Sequence, residues 1–198
     1  MQGLANQVVF VDANVWFSRT LRDWIGMLYT TPDASPFEIR WSEDVLAEVL
    51  YHLRREHPDW DGGRITRVRE LIAGTFENGR VEDFAIGEDY GGKDGLDAHV
   101  HAAAVACGAD ILVTTNVADF AWDENESPYE VLTPDEFLLL VDDAAPELVP
   151  EVTVKMCHYW FRRQAEANLP RKLKDAGCPG FAERVRRHLH ANQDKLPH

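Results

Sequence analysis

Cysteine is scarce in this sequence and badly spaced for chemistry. Cys107, Cys157 and Cys178 are the only three, far apart and without a CxxC pair. Neither a disulfide framework nor a thiolate zinc site is expected, and a reducing interior is the natural home. Basic charge is also in short supply, 20 Lys and Arg against 34 Asp and Glu, and it is unevenly spread: residues 1 to 150 carry 29 acids and 10 bases, residues 151 to 198 carry 5 and 10. An acidic body cannot offer a broad phosphate-binding surface, because each phosphate contact needs a cation. Metal ions or the basic C-terminal segment would have to supply it. No apolar run approaches the roughly 20 residues of a membrane span. The start, MQGLANQVVFVDAN, has no basic n-region and only a four-residue apolar run before an acid, so no signal peptide is expected. Internal repeats and low-complexity segments are missing as well. What remains is a 198-residue chain expected to be soluble and cytoplasmic, with one main domain large enough for a sizeable core.

The most organised stretch is KDGLDAHVHAAAVACGADILVTTNVADF, from Lys93 to Phe120. It reads as a loop, an Ala-rich helix opened by Asp97, a stop at Gly108, a buried strand over Ile111 to Val113, and a polar loop carrying Asn116 and Asp119. Earlier, the apolar run Val8 to Val11 ends at Asp12 and passes into a helical pattern from Val15 through Trp16, Leu21, Trp24, Ile25 and Leu28. Asp12 then reads equally well as a helix cap or as a ligand on the carboxyl edge of a sheet. Phe37, Ile39 and Trp41 alternate as a second strand, and Ser42 caps a helix whose apolar stripe is Val45, Leu46, Val49, Leu50 and Leu53. Glu43 and Asp44 serve that helix's dipole. Glu48 lies at the edge of the buried face, where spacing alone favours a solvated flank residue over one reaching the sheet edge.

A further amphipathic helix, Ile65 to Phe76, closes at Asn78-Gly79, and Val81, Phe84 and Ile86 read as a third strand. His99 and His101, two apart on a helix, diverge and fit surface or core positions better than a zinc grip. Tyr129 to Leu132 reads as an edge strand, and Thr133-Pro134-Asp135-Glu136 starts the next helix. Charge reversal and Pro146 and Pro150 set an expected boundary, with a domain over 1–145 and a basic helical extension over 146–198. In that extension Tyr159, Trp160, Phe161, Arg162 and Arg163 interleave aromatics with cations, a pattern nucleic-acid contacts use, although core packing is the commoner use of such aromatics. Arg184, Arg186 and Arg187 lie opposite the apolar face of Phe181, Val185 and Leu189.

Strands alternating with helices predict an α/β fold, a three-layer α/β/α sandwich with a mainly parallel sheet of four to five strands, plus C-terminal helices. If the first and fourth strands are neighbours, Asp12, Asp97 and the Asn116/Asp119 loop converge, with Glu48 reaching in. Crowded carboxylates need compensation, and an oxygen-only donor set favours Mg²⁺ or Mn²⁺ over zinc.

FVDANV, WSEDVLAEVL and the Lys93–Phe120 block resemble the PIN-domain family, in particular the VapC-like ribonuclease toxins of toxin–antitoxin pairs, over about Val8 to Leu140. The resemblance implies a Mg²⁺-dependent endoribonuclease with Asp12, Glu48, Asp97 and Asp119 as catalytic acids, and with Asp12, Asp97, Asn116 and Asp119 around metal. Asn116 stands where many members carry Asp. The resemblance also implies a cognate antitoxin as partner and a homodimer as a common assembly. Arg162, Arg163, Arg184, Arg186 and Arg187 are then the expected RNA contacts of the extension. Two other readings stand beside it. One is a PIN-like scaffold that binds RNA or protein without catalysis. The other is a phosphatase of the haloacid dehalogenase type, from VVFVDAN, but Asn14 replaces that family's second acid.

Overall fold

The computed structural model describes residues 6–32, 35–87, 90–92, 94–120, 127–163 and 168–196. Its architecture is α/β. Five strands, β1 (Gln7–Val11), β2 (Phe37–Ser42), β3 (Arg80–Val81), β4 (Ile111–Val113) and β5 (Glu130–Leu132), form an all-parallel sheet in the order β3-β2-β1-β4-β5. The chain starts in the middle, builds outward to β3, then crosses to the other side of β1. That reversal is a topological switch point between β1 and β4, where α/β sheets open a crevice beyond their carboxyl ends.

The described chain divides into two compact units. One holds the described residues within 6–17 and 37–133, the other those within 18–36 and 134–196. The division does not follow the charge boundary near Pro146. The first unit contains the whole sheet with α1 (Ala13–Phe17), α3 (Glu43–Glu56), α4 (Gly62–Thr75) and α5 (Ala98–Ala106). The connection from β3 to β4 runs across the sheet in the opposite sense to those before it. Right-handed crossovers therefore put α5 on the opposite face from α3 and α4, consistent with a three-layer α/β/α sandwich. Val9, Phe10, Val11, Ile111, Leu112 and Val113 are buried, as strands covered on both faces require.

Three local expectations change. The helix foreseen from Val15 onward is two helices, because Ser18 caps a new one, α2 (Arg19–Thr30), by accepting from the Leu21 amide at 3.4 Å. The third strand is only two residues long. Its partner β2 ends at Ser42, which turns away to cap α3 through the Val45 amide at 3.3 Å. Residues 82–87 therefore have no neighbour to pair with, and Ile86 is 61% exposed. The Ala-rich helix begins at Ala98 with Asp97 at its N-cap position, as read, but the end of the loop before it is a 3-10 turn (Gly95–Asp97). It ends as foreseen: Gly108 has φ +62°, and the Ala109 amide reaches back to the Ala104 carbonyl at 2.9 Å.

The second unit is helical: α2, α6 (Pro134–Ala144), α7 (Leu148–Phe161), α8 (Leu169–Asp175) and α9 (Pro179–Ala191). Trp24 and Phe181 meet edge to face at 5.0 Å between ring centroids. Asp135, in the first turn of α6, accepts from the Gly180 and Phe181 amides at 3.0 and 2.7 Å, so it also satisfies orphan donors at the start of α9. None of the helices among the described residues is long and apolar enough to cross a membrane.

Candidate acidic site at the switch point

The two central strands end in adjacent polar residues. Val11 pairs with Val113, so Asp12 and Thr114 emerge side by side, and the Asp12 amide donates to the Val113 carbonyl at 3.0 Å. Asp12 is 3% exposed, and its carboxylate is held from three directions. Oδ1 accepts from the Ala13 amide at 2.5 Å, and Oδ2 accepts from Thr114 Oγ1 at 2.7 Å and Asn14 Nδ2 at 2.5 Å. The Asn14 amide is fixed in turn, because its Oδ1 accepts from the Thr115 N–H at 3.0 Å and its Nδ2 also reaches Thr114 Oγ1 at 3.0 Å. Thr114 Oγ1 accepts a further bond from the Asn116 N–H at 3.0 Å. Burial pushes the Asp12 carboxyl up, and the bonds from Thr114 and Ala13 oppose the rise.

Glu48 does not stay a solvated flank residue. It lies 3.4 Å from His52 Nε2 and 3.6 Å from His99 Nε2, ion-pair distances in a half-exposed setting. His99 holds the Glu48 carboxyl low, and Glu48 holds the His99 imidazole high. His101 matches the expectation of a core histidine, buried with Nδ1 2.8 Å from the Tyr129 hydroxyl.

Asp97 is the least satisfied of the acids. Its Oδ2 is buried without a hydrogen-bond partner. Its pKa is pushed up to about 6, first by burial and then by Asp12, Asp94, Asp119 and Glu48. The same negative field acts on Tyr90, raised to about 12 by burial and by Asp97, Asp119, Asp94 and Asp12; its hydroxyl donates to the Asp119 carbonyl at 3.1 Å.

The structure thus brings Asp12, Glu48, Asp97 and Asp119 into one electrostatic neighbourhood at the switch point. Asn116 is exposed and joins through its backbone N–H; its side-chain amide takes no part in the hydrogen bonds described here. Asn14, Thr114, His52 and Tyr90 belong to the site but were not foreseen. Asn14 and Thr114 had a readable signal, since each flanks a strand end carrying a polar group. His52 and Tyr90 had none, because only the packing of α3 and the 90–97 loop aims them there.

As donors for a hard divalent cation these residues fit in kind, being oxygen only, and in charge, since neighbouring carboxylates add to the burial that raises Asp97. They do not fit in spacing: among the described residues no group of three or more His, Cys, Asp or Glu is placed to hold a metal ion. Cysteine chemistry has no place here, since burial pushes the Cys107 and Cys178 thiols up to about 11 and about 12. Comparison of the chain with protein-family models, with curated proteins and with solved structures returned no match.

Proposed function

We propose that this chain is a metal-dependent endoribonuclease of the PIN-domain, VapC-like type, hydrolysing RNA phosphodiester bonds and restrained by a cognate antitoxin. One observation supports the reading most: Asp97, half-buried with Oδ2 lacking a hydrogen-bond partner, also feels Asp12, Asp94, Asp119 and Glu48 at the sheet's switch point, and burial first and these carboxylates second raise it to about 6. Structural acids on a solvated surface have no reason to crowd this way.

Asp12 and Asp97, with Asp119 and Asn116 at the loop, are the residues that would hold Mg²⁺ or Mn²⁺, and to do so they would have to draw closer than they stand here. Such an ion would lower the pKa of a bound water and offset charge building on the phosphate. The chain's own groups have separable tasks. Thr114, Asn14 and the Ala13 N–H fix Asp12 in place. His99 and His52 keep Glu48 ionised and oriented. Asp97, whose Oδ2 is buried without a hydrogen-bond partner, has an oxygen left for the ion.

The test is incubation of the purified full chain with total cellular RNA and Mg²⁺, followed by mapping of new ends. New ends are expected with the native protein and not with an Asp12→Asn, Asp97→Asn double variant. Ends produced equally by both would discard the proposal. A second reading, a PIN-like binding module without catalysis, is favoured by the open spacing of the acids. Mn²⁺ separates the two: it should raise the melting temperature of the native protein and not of the double variant. No metal response together with no RNA cleavage selects the module.

A further inference from the structure

The expectation that Arg184, Arg186 and Arg187 form the RNA face does not match their surroundings. Arg184 lies 3.3 Å from Asp142 and 2.9 Å from Asp143. Arg186 and Arg187 both pair with Glu183, one turn away on α9. Their charge is largely answered within the helical unit.

The charge gathered toward the C-terminal end of α7 is answered only in part, by Glu151 on Lys155 and by Asp23. Among the described residues, Lys155, His158, Tyr159, Arg162 and Arg163 and no acid line an open cavity of about 400 Å³, a size within the small-molecule range of about 300–1,000 Å³. Arg163 covers one face of Tyr159 at 4.3 Å. Lys155 is paired with Glu151 at 2.8 Å. The His158 ring donates from Nε2 to the Lys195 carbonyl at 2.9 Å, since a carbonyl can only accept. Behind the cavity, Arg19 and Lys172 lie 4.6 and 4.4 Å from the Trp160 ring centroid. Asp23 is the acid that feels this group, and it is outnumbered: Arg19, Arg22, Arg163 and Lys172 all act on it, yet burial still leaves its carboxyl raised. Cations thus gather around two aromatic rings in a chain of net charge −14.

We infer that the α7 end of the helical unit, the Lys155, His158, Tyr159, Arg162 and Arg163 cavity, binds a nucleotide unit of a single-stranded RNA, with phosphates on Lys155 and Arg162 and a base against Tyr159. Cations that track a backbone beside an aromatic platform are the combination single strands use. An acidic polypeptide would satisfy the cations but make no use of an aromatic ring beside them, whose one face Arg163 covers. The inference rests on the proposal that RNA is the substrate, and of the five expected contacts it keeps Arg162 and Arg163 at the α7 end and sets aside the three on α9.

The experiment is fluorescence anisotropy of a labelled 12-nucleotide RNA with the full chain in EDTA, so that binding is read without metal-dependent cutting. Lys155→Glu with Arg162→Glu should abolish most binding and flatten the slope of log affinity against log salt by about 1.4, for two lost phosphate contacts. Tyr159→Ala should weaken binding by roughly tenfold. Arg186→Glu with Arg187→Glu should leave binding close to native, as should Arg171→Glu, another exposed cation of the unit. Arg162→Gln, a milder change, guards against misfolding and should still weaken binding.

Three results would overturn the inference. They are native-like affinity in Lys155→Glu with Arg162→Glu, equal displacement of the RNA by poly-glutamate of matched charge, and displacement by free 5′-AMP at concentrations comparable to the oligonucleotide, which would assign the cavity to a free nucleotide. Because cutting is suppressed, RNA bound here by a chain that never cleaves would sink the nuclease proposal and leave this surface standing. A chain that cleaves without using this surface would do the reverse.

Discussion

Asp97 concentrates the chemistry of the site in one side chain, and its titration gives a prediction. The ordinary value is 3.8, and the folded protein raises it to about 6. Between those values the native state holds a proton that the unfolded chain has released, so stability falls as pH rises from about 4 to about 6 and is flat above. In chelator-treated protein, thermal melts across this range should show that decline. Asp97→Asn should remove Asp97's share of it and raise the melting temperature at pH 7, while abolishing any RNA cleavage. Melts of the native protein that are flat over the same range would contradict the assignment. Thr114 is the second residue to test. Its buried hydroxyl serves Asp12, Asn14 and the Asn116 amide at once. Thr114→Ala leaves those groups short of a partner and should cost about 1–3 kcal/mol by denaturant titration, with a loss of activity. Thr114→Ser keeps the oxygen and should restore most of both.

At the scale of elements, the site depends on where helices and strands stop. Ser42 ends β2 and caps α3 in one step, which sets the register that carries Glu48 toward His99. Glu43, expected to serve only the helix dipole, also pairs with Arg69 and lies 3.6 Å from Arg80, tying α3 to α4 and to β3. The approach of α4's end to β2 is closest at Gly79. A Cβ there would lie 2.1 Å from the Ile39 carbonyl oxygen, and the Trp41 indole donates to the Phe76 carbonyl beside it at 2.9 Å. Backbone cannot yield as a flexible side chain can. Gly79→Ala should therefore destabilise by about 1–3 kcal/mol, measured by chemical unfolding, whereas Gly74→Ala, with open space at its Cβ, should be neutral or slightly stabilising.

For the molecule as a whole, the division of charge matters more than its total. The sheet-bearing unit holds the acidic site, and the helical unit holds a cationic surface at the end of α7 together with an internally paired set on α9. Asp142 is buried and answered by His188 at 2.8 Å and Arg184 at 3.3 Å, so this pairing belongs to stability. Arg184→Ala should lower the stability of the protein by about 1 kcal/mol, while Arg186→Ala, on the solvated side of α9, should leave the melting temperature unchanged. A matched drop in both would mean that α9 is held by its outer charges instead.

The sequence by itself determined the central strands, several helix ends and the acids at strand ends, because these follow from local periodicity and from backbone groups that must be satisfied nearby. Val8 to Val11 ending at Asp12, Ser42 as a cap, Gly108 as a stop and the run Ile111 to Val113 were all legible that way. Tertiary structure alone decided which of those ends meet. Glu48 read as a flank residue because spacing records a helix face and not what lies across from it, and Asn14 and Thr114 became a clamp only once β1 and β4 lay side by side. The same limit applies to the arginines, whose sequence order looks alike on α7 and α9. Whether a cation is spent or available depends on neighbours brought from elsewhere in the chain, and long-range packing is what supplies them.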